Sequence, residues 1–279
     1  MNTLKTVLIL VLIASSSLIS QNIRDPKRID LSSQLGLDSN QYAQIFIPET
    51  FKPGSKGFDL VFHLHGNSKT AETQIKKTEA DAILFNIYLG LLSSPYREYF
   101  EDSTKFGIIL NTVKDTLASS GIVDANEIDD FIITSFSAGY GGVREMLKYE
   151  RYYRMIDVIT LADGLHSDLD SALMKKQMKD FTRFAKDATE GEKIMVLTHS
   201  NIEPENYAST TETADYLIER VNGERFMVSR KDSIGRLYSE FHKGNLYIKG
   251  YRGDTAEDHM KHLYHIDKML SKVLEILNN

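Results

Sequence analysis

One property of this chain restricts its fold more than any other: short apolar runs of strand length alternate with longer stretches of helical periodicity along most of the sequence. The apolar runs fall at residues 44–48, 58–65, 82–89, 131–134, 158–162 and 193–198. Several are nearly continuous in apolar character, as strands covered on both faces should be. Between them Phe106, Ile109, Val113 and Leu117 recur at helical spacing, as do Met174, Met178, Phe181 and Ala185, and then Ala214, Leu217, Ile218 and Val221. The third of these stretches is punctuated at both ends. Ser209-Thr-Thr-Glu212 has the spacing of a capping box, and Asn222-Gly223 supplies a left-handed stop. Strands and helices in alternation predict an α/β architecture with a mostly parallel central sheet and helices on both faces.

Towards the carboxyl terminus the texture changes. Residues 237–241 and 246–250 flank His242-Lys-Gly-Asn245 and predict a hairpin at that edge of the sheet. A final helix is expected to open at Thr255-Ala-Glu-Asp258 and run toward Leu277. After Gln21 no glycine-, serine- or proline-rich stretch separates domains and no long repeat occurs, so residues 21–279 read as one domain. Of the 279 residues 42% are hydrophobic, enough for one large core.

Residues 1–20 have a different character. A single Lys5, the apolar stretch 7–14 and Ser15, Ser16 and Ser17 form the three-part pattern of a secretory signal peptide, with cleavage expected after Ser17 or Ser20. The alternative is a retained amphiphilic anchor. The apolar stretch is shorter than the roughly 20 residues of a bilayer span, so no stable membrane span is expected after cleavage. The mature protein is expected to be exported. With no cysteine, disulfides, thiolate metal sites and cysteine nucleophiles are excluded. A net charge of −6 without long like-charge runs argues against a nucleic-acid surface.

The strand at 131–134 leads directly into Ser135-Phe-Ser137-Ala-Gly139-Tyr-Gly-Gly142 and then into the helical pattern of Val143, Met146 and Leu147. A strand that ends in a small-x-Ser-x-Gly turn feeding a helix is the context of a nucleophile elbow, where only small residues fit on either side of the serine. Here the chain resembles the α/β-hydrolase superfamily, with Ser137 in the nucleophile position. Ser135 stands where the family pattern has its first glycine. The resemblance implies that Ala138 donates its backbone N–H to an oxyanion. Earlier, Leu60-Val-Phe-His63-Leu-His65-Gly66-Asn67 is similar to the strand and turn that supply the second donor in that family, which points to the backbone N–H of Asn67. His63 and His65 alternate onto one side of the strand. A metal pair is conceivable there, but no nearby acid or thiolate completes it, and a histidine bonded to backbone is the plainer expectation.

Serine hydrolysis requires a base and a carboxylate that orients it. In the order the resemblance implies, Asp163 at the end of run 158–162 is the acid. The commoner placement is one strand later, at Thr198-His199-Ser200-Asn201, which offers no carboxylate before Glu203 and Glu205, the alternatives. For the base, the final helix offers His259, His262 and His265. A helical projection sets His259 at the centre of the face carrying Leu263, Ile266, Leu270 and Val273, with His262 toward its edge as the reserve candidate and His265 pointing away. His65, Ser94, Tyr96 and Tyr140 are the expected substrate contacts, the loop 91–96 lying at the same sheet edge.

These residues together imply a serine hydrolase that cleaves a carboxylic ester, small or borne on a polymer, through an acyl-enzyme and without a metal or organic cofactor. An acyltransferase or peptidase using the same triad, and a non-catalytic binding domain on the same scaffold, are the alternatives.

Overall fold

Apolar runs too short to be helices can satisfy their backbone groups only by pairing with one another, and here they do so in one ten-stranded sheet. The computed structural model describes residues 25–52, 57–124 and 127–278. The expected signal peptide lies outside the described residues. The strands are β1 (Lys27–Asp30), β2 (Tyr42–Ile47), β3 (Gly57–Leu64), β4 (Ala82–Tyr88), β5 (Glu127–Phe136), β6 (Val158–Ala162), β7 (Ile194–His199), β8 (Phe226–Lys231), β9 (Arg236–Lys243) and β10 (Leu246–Arg252). Their order is β1-β2-β4-β3-β5-β6-β7-β10-β9-β8. The central strands β4, β3, β5, β6, β7 and β10 run parallel. Antiparallel strands extend the sheet on both sides.

The alternation of side chains along each strand divides the core into two layers. Leu60, Phe62 and Leu64 of β3 face one side, where they meet Phe100 of α2 (Ser93–Glu101), Phe106 and Val113 of α3 (Lys105–Ser119), Val143 of α4 (Tyr140–Leu147), Phe184 of α7 (Lys179–Glu190) and Leu217 of α8 (Thr210–Arg220). Val61 faces the other side. There it joins Ile75 of α1 (Ser68–Thr78), Leu263 of α9 (Ala256–Tyr264) and Ile266, Leu270 and Val273 of α10 (Ile266–Leu277). Each large side chain removed from water contributes roughly 1.5–3 kcal/mol, and Phe62 lies within 6.4 Å of four other aromatic rings. This layered sheet is the rigid platform whose carboxyl edge carries the site.

Local punctuation fixes the helices. Ser209 and Glu212 form the expected capping box of α8, and Thr255 with Asp258 forms a second at the start of α9. Three expectations need correction. The helix expected to run from Thr255 toward Leu277 breaks at His265, whose φ of −132° and ψ of 25° leave the helical region, so α9 and α10 are separate. The stretch from Met174 to Ala185 is likewise two helices, α6 (Ser171–Gln177) and α7, meeting at Met178. The loop expected at 91–96 turns into α2 from Ser93 onward. The carboxyl-terminal hairpin, β9 and β10, is present, and β8 extends it to three strands.

Candidate active site

At the carboxyl ends of β3, β5 and β6 the backbone swings into the left-handed region at three non-glycine residues: His65 at φ +71°, Ser137 at +47° and Asp163 at +44°. Such conformations cost on the order of 1–3 kcal/mol each and persist only where the surroundings impose them. Ser137 opens a short 3-10 turn, Ser137–Gly139, that continues into α4. The turn is too tight for larger neighbours. A Cβ on Gly139 would lie 2.5 Å from the Leu64 carbonyl oxygen and 2.8 Å from Ser135 Oγ. A Cβ on Gly164 would lie 2.7 Å from Ser137 Cα and closer still to its N and O. Ser135 meets the same limit by being small, although its buried hydroxyl finds no partner.

This turn aims the Ser137 hydroxyl at α9. Ser137 Oγ lies 2.9 Å from His259 Nε2, and His259 Nδ1 lies 2.7 Å from Asp163 Oδ2. The other carboxylate oxygen, Oδ1, accepts the Ser200 N–H and the Thr210 hydroxyl, each at 2.8 Å. Asp163 is buried. Burial by itself raises its pKa, but the hydrogen bond from His259, the nearby His262 and His259 rings and the Ser200 N–H reverse this and hold it well below the usual carboxylate range. An ionised Asp163 accepts the Nδ1–H, which leaves Nε2 free to accept the Ser137 hydroxyl proton. The Phe136 ring packs against the imidazole with centroids 4.6 Å apart.

The remaining sequence candidates divide. His259 Nδ1 is bonded to Asp163, not to Glu203 or Glu205. His262 is buried and bonds Thr198 Oγ1 at 2.8 Å. Burial pushes its pKa down to about 4. The projection that set His262 at the rim of the buried face is corrected: within α9 His262 is the sealed ring, and His259 is the one that stays 25% exposed and reaches Ser137. Asn67 caps α1, its side-chain oxygen accepting the Lys69 N–H at 3.0 Å. Ala138 follows Ser137 at the start of the helix.

Two expected substrate contacts are corrected. Tyr96 is fully buried and its hydroxyl accepts the Leu89 N–H at 3.0 Å, while His65, 8% exposed, bonds the same hydroxyl through Nδ1 and stacks on Tyr88 and Phe136. Both support the site from behind and do not line it. Nor do His63 and His65 form a pair. The strand ends at Leu64, the left-handed turn at His65 breaks the alternation, and His63 Nδ1 bonds the Thr134 hydroxyl at 2.7 Å, a side chain where backbone was expected. Burial pushes these rings down to about 3 and about 4 respectively. No cluster of three or more potential metal ligands occurs among the described residues.

Ser94 and Tyr140 do line the cleft above Ser137, which has a volume of about 490 Å³. Its walls also hold Leu91, Leu92, Arg97, Arg144, His166, Asp168 and Tyr207. Of these, Arg144, His166, Asp168 and Tyr207 carried no sequence signal, because nothing in their spacing places them beside Ser137. A larger groove of about 890 Å³ between β9, β10 and α10 contains none of the three linked residues.

The sequence matches no protein-family model and no curated protein. Solved structures share the fold. A ferric enterobactin esterase from Salmonella typhimurium superposes over 90% of this chain and 58% of its own, with 11% identity and a TM-score of 0.54. The fold is α/β-hydrolase-like. The enterobactin esterase of Shigella flexneri superposes over 91% of this chain and 60% of its own, again with 11% identity and a TM-score of 0.54. The siderophore hydrolase EstA from Aspergillus nidulans superposes over 90% of this chain and 95% of its own, with 11% identity and a TM-score of 0.50. This chain thus spans about three-fifths of the two bacterial enzymes. In a hydrolase-like fold the carboxyl edge of the parallel strands is where ligands meet the sheet, and Ser137, Asp163 and His259 all lie there.

Proposed function

We propose that the protein is a serine hydrolase that cleaves a carboxylic ester. The observation that carries this reading is the continuous chain from Ser137 Oγ through the His259 ring to Asp163, at 2.9 and 2.7 Å, on a backbone turned left-handed at the serine. The solved structures with this fold include proteins described as esterases, in keeping with the same chemistry.

In the first half of the reaction, Ser137 Oγ attacks the ester carbonyl as its proton passes to His259 Nε2, and the carbonyl π-electrons move onto oxygen. The backbone N–H groups of Ala138 and Asn67 stabilise that oxyanion, each donor contributing about 3 kcal/mol to the transition state. Collapse expels the alcohol, which takes its proton from His259. Water then enters by the same route and releases the acid. Asp163 remains ionised throughout, fixing the tautomer and stabilising the imidazolium. Residues 1–20 act as an export signal, so the enzyme meets its substrate outside the cytoplasm.

A fluorophosphonate probe tests this directly. Labelling of the wild type that disappears in Ser137→Ala, together with release of acid and alcohol from 4-nitrophenyl butanoate, is the expected result. A folded wild type that neither labels nor turns over esters would leave a binding domain. Acyl transfer to added alcohol in preference to water, or cleavage of amides at comparable rates, would redirect the reading to a transferase or peptidase. Loss of turnover in His262→Ala with turnover retained in His259→Ala would move the base to the other ring.

A further inference from the structure

The cleft above Ser137 holds a cation without a counter-ion. Arg144 stands one turn into α4, the helix that follows the Ser137 turn, and its guanidinium lies over the Tyr140 ring at 5.0 Å. One terminal nitrogen donates to the His166 carbonyl, while Nε is buried with no partner among the described residues. Among the described residues no carboxylate lies within ion-pair distance of Arg144. The adjacent Glu145 is engaged by Lys148 at 2.5 Å. Burial draws the Arg144 pKa below its ordinary value. A half-buried guanidinium without an ion-pair partner is costly to keep charged, and an anion in the cleft that meets its terminal nitrogens offsets that cost.

The surroundings point the same way. Arg97 places a second guanidinium on the cleft wall, its exposed partner Glu98 being 3.5 Å away. The one acid among the lining residues is Asp168, whose Oδ1 accepts the Asp170 N–H at 2.9 Å. Tyr207, 47% exposed, meets the His166 ring edge to face, which gives the cleft a flat aromatic wall beside the cationic one.

We propose that the substrate is an ester carrying a carboxylate remote from the scissile bond, held by Arg144 while Ser137 attacks. This rests on the reading of Ser137 as nucleophile. Binding energy gathered at the anion would hold the carbonyl in place over Ser137.

Two isosteric pairs test it: 4-carboxyphenyl against 4-carbamoylphenyl butanoate, with the carboxylate on the alcohol side, and mono(4-nitrophenyl) adipate against its half-amide, with it on the acyl side. The expected result is at least a tenfold preference in kcat/KM for the acid in one pair. That ratio should fall to about one in Arg144→Gln, be partly restored in Arg144→Lys, and shrink as salt is added. An arginine that merely braces the His166 carbonyl would lower both members of a pair alike and leave the ratio unchanged, which would overturn the proposal, as would a wild-type ratio near one in both pairs. Calorimetric titration of 4-hydroxybenzoate and adipate against their neutral amides separates this from the hydrolase reading. If no ester turns over and Ser137 does not label, tighter binding of the acids, lost in Arg144→Gln, still supports an anion site. Equal binding of acid and amide overturns it.

Discussion

The two ends of the central parallel strands are built on opposite terms. At the carboxyl ends of β3, β5 and β6, His65, Ser137 and Asp163 hold left-handed backbone, and the two other non-glycine residues with positive φ among the described residues, Glu79 and Asn222, merely end helices. At the amino ends no described non-glycine residue has a positive φ, but carboxylates crowd. Asp59 Oδ1 accepts the Asp130 N–H at 3.1 Å and Asp157 Oδ2 accepts the Phe131 N–H at 3.0 Å. Burial, reinforced by Asp130, Asp129 and Asp81, pushes the Asp59 carboxyl up to about 6. Both ends give up stability, one through torsional strain that pH does not touch and the other through charge that pH can remove. Only the first aims side chains at a common point, which separates a working edge from a merely tolerated one.

The sharpest way to break this comparison is at Ser137. Ser137→Ala is expected to lower kcat/KM by at least about 10⁴-fold. Ser137→Gly should lose as much turnover while gaining about 1 kcal/mol in urea unfolding, because glycine accepts the left-handed conformation freely. A glycine variant less stable than wild type would show that the turn carries no strain. Next in size is Asp163→Asn, for which a fall of about 10³–10⁴ in kcat is expected from the wrong imidazole tautomer. The same variant has a stability signature. Because the folded carboxyl lies below its ordinary 3.8, its contribution is full above that value and is lost as pH falls further. Acid unfolding should therefore be shallower in Asp163→Asn than in wild type.

Gly164→Ala pushes a methyl group into the Ser137 backbone and is expected to cost about 2 kcal/mol of stability, with turnover reduced about 100-fold. Stability lost with full activity would mean that the strand end can relax without moving the serine. The smallest effect belongs to the amino edge. Asp59→Asn can keep the bond from the Asp130 N–H while removing a charge, so it should stabilise the fold by about 1 kcal/mol at pH 8, solvent screening having reduced the full linkage value. With the folded pKa raised, that gain appears as pH climbs through about 6 and vanishes below about 4, where the wild-type carboxyl is already protonated. Unfolding curves at pH 4 and pH 8 check the sign.

What the sequence reveals follows from what burial writes into it. Central strands covered on both faces announce themselves, and run 158–162 coincides with β6. Edge strands do not. β8 reads Phe-Met-Val-Ser-Arg-Lys with five of its six residues exposed, and β1 has three of four exposed, so neither carries a core-facing alternation. The break at His265 is invisible because Leu263 and Ile266 keep helical spacing across it while packing into the same layer. At the site, residues fixed by strand ends and turns were legible, since the tightness of a turn restricts residue type. The cleft wall was legible only in part, at Ser94 and Tyr140. Arg144 and Tyr207 are far apart in sequence and line one cleft only because α4 and the segment before α8 lie over the same strand ends.

The discontinuity at His265 has a mechanical corollary. α9 carries its own stop and start, a capping box at Thr255 and a terminus at His265, and its own anchors, Leu263 seated against Gly66 and the buried His262 ring bonded to Thr198 Oγ1. His259 therefore rides on a nine-residue cassette whose pose is set locally and not by the twelve-residue rod of α10 beyond it. Trimming or lengthening that rod acts on the imidazole only indirectly, through the packed layer that α9 and α10 share, so the outer buttress can vary while the His259 ring stays beside the serine.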